Sequence, residues 1–123
     1  LRSQVTILNA SLTDTEIEIF GYDFPERISE TWTHDFYLIA LELINNSIKH
    51  GRAALVTIEC YRYDTNYHFQ FTDDGQGFDP QQTPAGFGLN NIEKRVSSYK
   101  GYFEISSTIG QGTIVQIDMP YKL

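Results

Sequence analysis

The stretch 33–50 limits the possible folds more than any other part of the chain. Phe36, Ile39, Ala40, Leu43 and Ile48 recur there at helical spacing, which predicts a helix with one apolar stripe. Thr33 is the expected N-cap, Asp35 falls in the first turn, and Gly51 marks the C-terminal stop. The stripe needs a partner, and the segments downstream supply one. Residues 55–63 and 67–72 read as strands joined by a tight hairpin at Asp64-Thr65-Asn66. Residues 102–107 and 113–120 form a second pair of strands around a turn at Gly110-Gln111-Gly112.

Between the two pairs, 73–85 is a loop rich in Gly, Pro, Gln and Asp. Residues 90–100 then predict a helix with Ile92, Val96 and Tyr99 inward, stopped by Gly101. Ahead of the long helix, 15–20 alternates Ile17 and Ile19 with Glu16 and Glu18 as a half-exposed strand, and 21–31 reads as a loop. Leu1, Val5, Leu8 and Leu12 are spaced as on a helix, the expected tail of a longer upstream one. The expected fold is α+β: a two-layer α/β sandwich with a mixed, mostly antiparallel sheet of about five strands, covered on one face by about three helices.

Charge narrows the function. The chain has 123 residues, the length of a single domain, with 16 acidic and 9 basic residues and a net charge of −7. That balance opposes nucleic-acid binding, which relies on a surplus of Lys and Arg. An anionic ligand would need a cation or a local cluster of donors. The one cysteine, Cys60, falls in a strand and is expected to be a buried core thiol. No apolar run is long enough to span a bilayer, which fits a cytoplasmic setting or the cytoplasmic part of a membrane-anchored protein.

Four segments carry candidate chemistry. Glu42, Asn46 and Lys49 stand at i, i+4 and i+7 on the long helix, beside His50. Asp73-Asp74-Gly75-Gln76-Gly77-Phe78 follows a strand, and its glycines let backbone approach a ligand closely. Gly86-Phe87-Gly88-Leu89 opens the last helix, where free N–H groups and the helix dipole favour an anion. Gly110-Gln111-Gly112-Thr113 places a hydroxyl at the start of a strand. Each has a plainer explanation alone: a solvated helix face, an acidic turn, a lone Gly-x-Gly, a β-turn. Neither a dinucleotide fingerprint nor a P-loop is present.

In this order the four segments resemble the GHKL ATPase superfamily, and the likeness spans residues 33–120. Lys49-His50, the run Gly88-Leu89-Asn90-Asn91-Ile92-Glu93-Lys94-Arg95, and Ile117-Asp118-Met119-Pro120 resemble sensor histidine kinases within it. The brief loop between Gly77 and Gly86 is similar to the short-lid class. The resemblance implies the ATP-binding catalytic domain of a kinase that transfers the γ-phosphoryl group of Mg-ATP to a histidine on a separate dimerisation domain. It implies Asn46 as the Mg²⁺ ligand, with Lys49 and His50 donating to phosphate oxygens. Asp73 reads the adenine amino group, and Gly75 and Gly77 let the loop turn beneath the base. Gly86, Gly88 and Leu89 face the phosphates, and Thr113 helps hold Asp73. Glu42 is the implied catalytic acid, which either orders Mg²⁺ hydration or polarises the acceptor imidazole. Asp74 departs from the Asn of many relatives and adds a charge.

The resemblance also implies partners. They are the dimerisation and phosphoacceptor domain of the same parent, whose helix residues 1–12 would end, and a downstream response regulator. The fragment itself is expected to be monomeric and the parent homodimeric. His34-Asp35 looks like a phosphoacceptor pair, but His34 lies on the same helix as Glu42, about 12 Å along a rigid rod. It is therefore read as a residue at the helix start, Arg95 as a surface residue, and His68 as exposed. Two other readings stay open: an anti-sigma-factor serine kinase, and a non-catalytic nucleotide-binding scaffold.

Overall fold

A computed structural model of the chain describes residues 15–21, 28–79, 81 and 88–121. Five strands and two helices appear there. They are β1 (Glu16–Phe20), α1 (Glu30–Lys49), β2 (Leu55–Tyr63), β3 (Asn66–Asp73), α2 (Leu89–Ser98), β4 (Tyr102–Thr108) and β5 (Gly112–Pro120). The strands form one sheet in the order β1-β2-β3-β5-β4. Only β1 and β2 run parallel; β2–β3, β3–β5 and β5–β4 are antiparallel. The parallel pair is the one whose connection contains a helix, as a parallel crossover requires. The third expected helix, over 1–12, lies outside the described residues.

Strand alternation decides which face is covered. Val56, Ile58 and Cys60 of β2, Tyr67, Phe69 and Phe71 of β3, and Val115, Ile117 and Met119 of β5 all point to one side and are buried. They join Phe36, Ile39, Leu43 and Ile44 of α1 and Ile92 and Val96 of α2 in a single core. The alternate positions are more exposed, with Tyr61 and Tyr102 more than half so. Cys60 is the core thiol expected of it.

The start of α1 differs from the sequence expectation. Ser29, not Thr33, is the N-cap: it takes an extended backbone, and its hydroxyl accepts from the Trp32 N–H at 3.1 Å. Thr33 donates its hydroxyl to the Ser29 carbonyl instead. The first turn therefore contains Glu30 and Trp32, and the acid near the positive end is Glu30 rather than Asp35. Trp32 explains the longer helix. It is 1% exposed, stacks on Phe36 with ring centroids 5.3 Å apart, and donates from Nε1 to the Pro120 carbonyl at 2.8 Å. A ring of that size joins the core only if the helix has already begun. His68 is likewise half-buried, not exposed: its Nδ1 meets Asp118 Oδ1 across the β3–β5 ladder.

Ser29→Ala is expected to lower unfolding stability by about 1 kcal/mol. Thr33→Ala should change it by less than half as much. Urea midpoints followed through Trp32, the single tryptophan of the chain, distinguish the two.

Candidate functional site

The core is bulky at one end and small at the other. Near the start of α1, Trp32, Phe36, Tyr67 and Phe69 pack edge and face, with Phe36 and Phe69 only 4.2 Å apart between centroids. The end of α1 presents Asn46 and Ser47, followed by its C-cap His50 and Gly51. A small cavity opens there. Leu43, Asn46, Ser47, His50, Phe71, Asp73, Gly77, Phe78, Leu89, Ile105, Thr113 and Val115 are among the residues that line it. Its walls are thus mostly apolar, with a few polar groups brought together, the usual composition of a small-molecule site.

Asp73 is the buried carboxylate in its lining, 6% exposed. The Ser47 hydroxyl donates to Asp73 Oδ2 at 2.6 Å, and the Gly75 N–H donates to Oδ1 at 2.9 Å. Thr113 lies opposite Asp73 in the β3–β5 register. Its hydroxyl bonds to Ser107 Oγ at 2.8 Å, and no bond joins it to the Asp73 carboxylate. Ser107 also accepts from the Phe78 N–H at 2.9 Å. The loop after β3 is pinned at three further points: Gln76 N–H to the Gly51 carbonyl, Gly110 N–H to the Gln76 carbonyl, and Gln76 Nε2 to the His50 carbonyl.

This path explains the glycines. Gly77 adopts φ +65°, and a Cβ there would lie 2.2 Å from the Thr108 carbonyl oxygen. At Gly75 a Cβ would lie 2.5 Å from the Gly51 carbonyl oxygen. Both glycines serve backbone-to-backbone approach between the loop, the end of α1 and the β4–β5 hairpin. Asp74 turns away from the cavity: its Oδ1 accepts from the Ala54 and Leu55 N–H groups, each at 2.9 Å. Its charge is held at the start of β2.

Of the residues singled out in the sequence, Asn46, His50, Asp73, Gly77, Leu89 and Thr113 meet at one cavity, and Gly75 supports Asp73. Lys49 is exposed and does not line the cavity. Glu42 lies in a neighbouring groove between α1 and α2, with Asn45, Asn91 and Arg95. It borders the start of α2, where a Cβ on Gly88 would come 2.6 Å from Glu42 Oε1. Gly86 lies outside the described residues. Sequence reasoning missed Ser47 and Ser107, which sit inside an apolar stripe and an alternating strand. Only their small polar side chains at inward positions could have signalled them.

At the far end of that groove the two helices are tied together. Asp35 accepts from Tyr99 Oη at 2.5 Å and from Arg95 Nη1 at 3.2 Å. Arg95 is exposed as expected, yet it has this partner. Burial, then the hydrogen bond to Asp35 and its negative charge, push the Tyr99 phenol up from 10.0 to about 12.

Comparison with known proteins adds the following. Residues 33–123 match the family described as histidine kinase-, DNA gyrase B-, and HSP90-like ATPase. The chain is 33% identical over 95 residues to the signal transduction histidine-protein kinase/phosphatase UhpB of Salmonella typhimurium, covering 77% of this chain and 19% of that protein. To the sensor histidine kinase LiaS of Bacillus subtilis it is 29% identical over 94 residues, covering 76% and 26%. The chain thus spans about a fifth to a quarter of these relatives. Its fold resembles that of a blue-light activated histidine kinase of Erythrobacter litoralis, with a TM-score of 0.81, 18% identity, and coverage of 98% of this chain and 40% of that one.

The Tyr99 geometry has a pH consequence. A phenol whose folded value is raised stabilises the fold fully below its ordinary value of 10, and that contribution is lost as pH rises through about 12. Urea midpoints of the unaltered chain and Tyr99→Phe are therefore expected to differ at pH 9 and to converge as pH approaches 12.

Proposed function

Since this chain belongs to the family of histidine kinase-, DNA gyrase B-, and HSP90-like ATPases, we propose that it is the ATP-binding catalytic domain of a sensor histidine kinase. The observation that carries this reading is a buried carboxylate in the lining of an apolar cavity that Asn46 and the start of α2 also line. The base enters between Leu43, Phe71, Ile105 and Val115, and Asp73 accepts from its exocyclic amine. The phosphates then lie toward Asn46, His50 and the N-terminus of α2, where the helix dipole favours negative charge. Lys49, exposed one turn beyond Asn46, donates from the rim, and Gly88 with Leu89 completes that side; Gly86 is a further phosphate-binding candidate by its motif alone.

The residues fit Mg²⁺ in one way. Among the described residues no cluster of three His, Cys, Asp or Glu side chains could hold a metal. A protein-only cage is thus absent from them, while Asn46 lines the cavity. Asn46 would hold the ion together with nucleotide phosphate oxygens, an all-oxygen donor set that suits it. Bound there, Mg²⁺ supplies the positive charge that a chain of net charge −7 lacks.

Phosphoryl transfer depends mainly on positioning and charge stabilisation, and the chain's own groups provide for both. Asn46 and Lys49 fix the phosphates. Glu42, in the groove that leads past Gly88, orders water or polarises the incoming imidazole. That imidazole comes from a separate dimerisation domain. The phosphoryl group then passes to a response regulator, and the domain acts on the cytoplasmic side as a monomeric module of a dimeric parent. None of the described helices is long and apolar enough to cross a membrane.

Calorimetric titration of ATP with Mg²⁺ into the chain is expected to give a single site. Asn46→Ala should weaken it by about tenfold through loss of the metal-dependent contact. The same protein incubated with labelled ATP should remain unlabelled, because His34 is exposed two turns before Glu42 on the same helix. An absence of nucleotide heat, or label on His34, overturns the reading.

A further inference from the structure

The Asp73 carboxylate is approached by one donor on each oxygen, and the two donors differ in kind. Gly75 offers a backbone N–H to Oδ1, whereas Ser47 offers its side-chain hydroxyl to Oδ2. Ser47 is 2% exposed, on the core-facing side of α1 next to Asn46. A serine hydroxyl has a single proton, and here it is committed to the carboxylate. Among the described residues it is the only side-chain donor to Asp73, so it alone can be removed without altering the backbone.

We infer that Ser47 is a specificity-determining positioning residue: by holding Asp73 Oδ2 it fixes the carboxylate so that its remaining lone pairs face the cavity as acceptors. The site then selects a purine with an amino donor at C6 and rejects one with a carbonyl there. This rests on the reading of the cavity as a base pocket. A 6-oxo purine sets acceptor against acceptor, and a carboxylate tied on both oxygens cannot turn away or find another partner. Sites built on a fixed buried hydrogen-bonding group reject mismatched ligands strongly, because the group is left unpaired. Without the Ser47 hydroxyl, Oδ2 is free and the carboxylate pivots on its Cβ–Cγ bond. The donor requirement relaxes.

A serine that merely stabilised the end of α1 would affect all nucleotides alike, so the ratio of affinities is the deciding measurement. ATP and inosine triphosphate, each with Mg²⁺, are titrated into the chain and its variants, with Trp32 fluorescence confirming that each is folded. The unaltered chain is expected to favour ATP. Ser47→Ala should weaken ATP by about tenfold and leave inosine triphosphate within about twofold, so the preference collapses. Ser47→Thr, which keeps a hydroxyl, should retain it. In an Asp73→Asn background Ser47→Ala should leave the ratio unchanged, because the serine acts through the carboxylate. Equal weakening of both nucleotides, or an unchanged ratio in Ser47→Ala, overturns the inference while leaving the pocket intact. Failure of the unaltered chain to bind either nucleotide overturns the pocket reading itself, and this inference with it.

Discussion

The hydrogen bond between Ser47 and Asp73 joins the end of α1 to the end of β3, two elements 26 residues apart in sequence. Much of the site is arranged around that join. Because α1 is tethered there, the Gly51 carbonyl meets the Gln76 N–H, and the loop after β3 is drawn under the end of the helix. Because β3 is paired with β5, the same loop meets the β4–β5 hairpin at Gly110 and Ser107. A buried polar pair of this sort stabilises only when its partners are satisfied. Both Asp73 oxygens are, and no buried side-chain polar atom among the described residues lacks a partner.

Core bulk decides where the cavity falls. Trp32, Phe36, Tyr67 and Phe69 fill the space between helix and sheet at one end. Ser47, Gly51 and the loop glycines leave it open at the other. The cavity falls where Ser47 and Gly51 share a lining with Phe71, Ile105 and Val115 of the sheet.

The tie between α1 and α2 has a different character. Asp35, Arg95 and Tyr99 lie at the helix surfaces, and the Arg95–Asp35 pair is partly exposed, so screening leaves it little net energy. The Tyr99–Asp35 bond is the less exposed half of the cluster. It orients the helix that begins at Gly88 relative to the helix that carries Glu42 and Asn46. Leu89, the first residue of α2, lines the cavity.

Periodicity along the chain was enough to set the order of the described elements and the inward faces of the strands, while Asn46, Asp73 and the glycines stood out as motifs rather than as a repeat. Those features are local: a repeat of two or of 3.6 residues, and the backbone freedom of Gly at a turn. The true start of α1 was not legible, because Ser29 and Thr33 are both good caps and only the burial of Trp32 against Pro120 chooses between them. Ser47 was hidden by its place in an apolar stripe, Asp35 by its likeness to a first-turn acid, and Asp74 by its reading as an added charge at the site. What each of them does depends on a partner at least 19 residues distant in the chain. Sequence alone determined which residues could take part, since that follows from side-chain chemistry and local spacing. Tertiary structure decided which of them meet, since long-range pairing is set by how the helices and sheet pack.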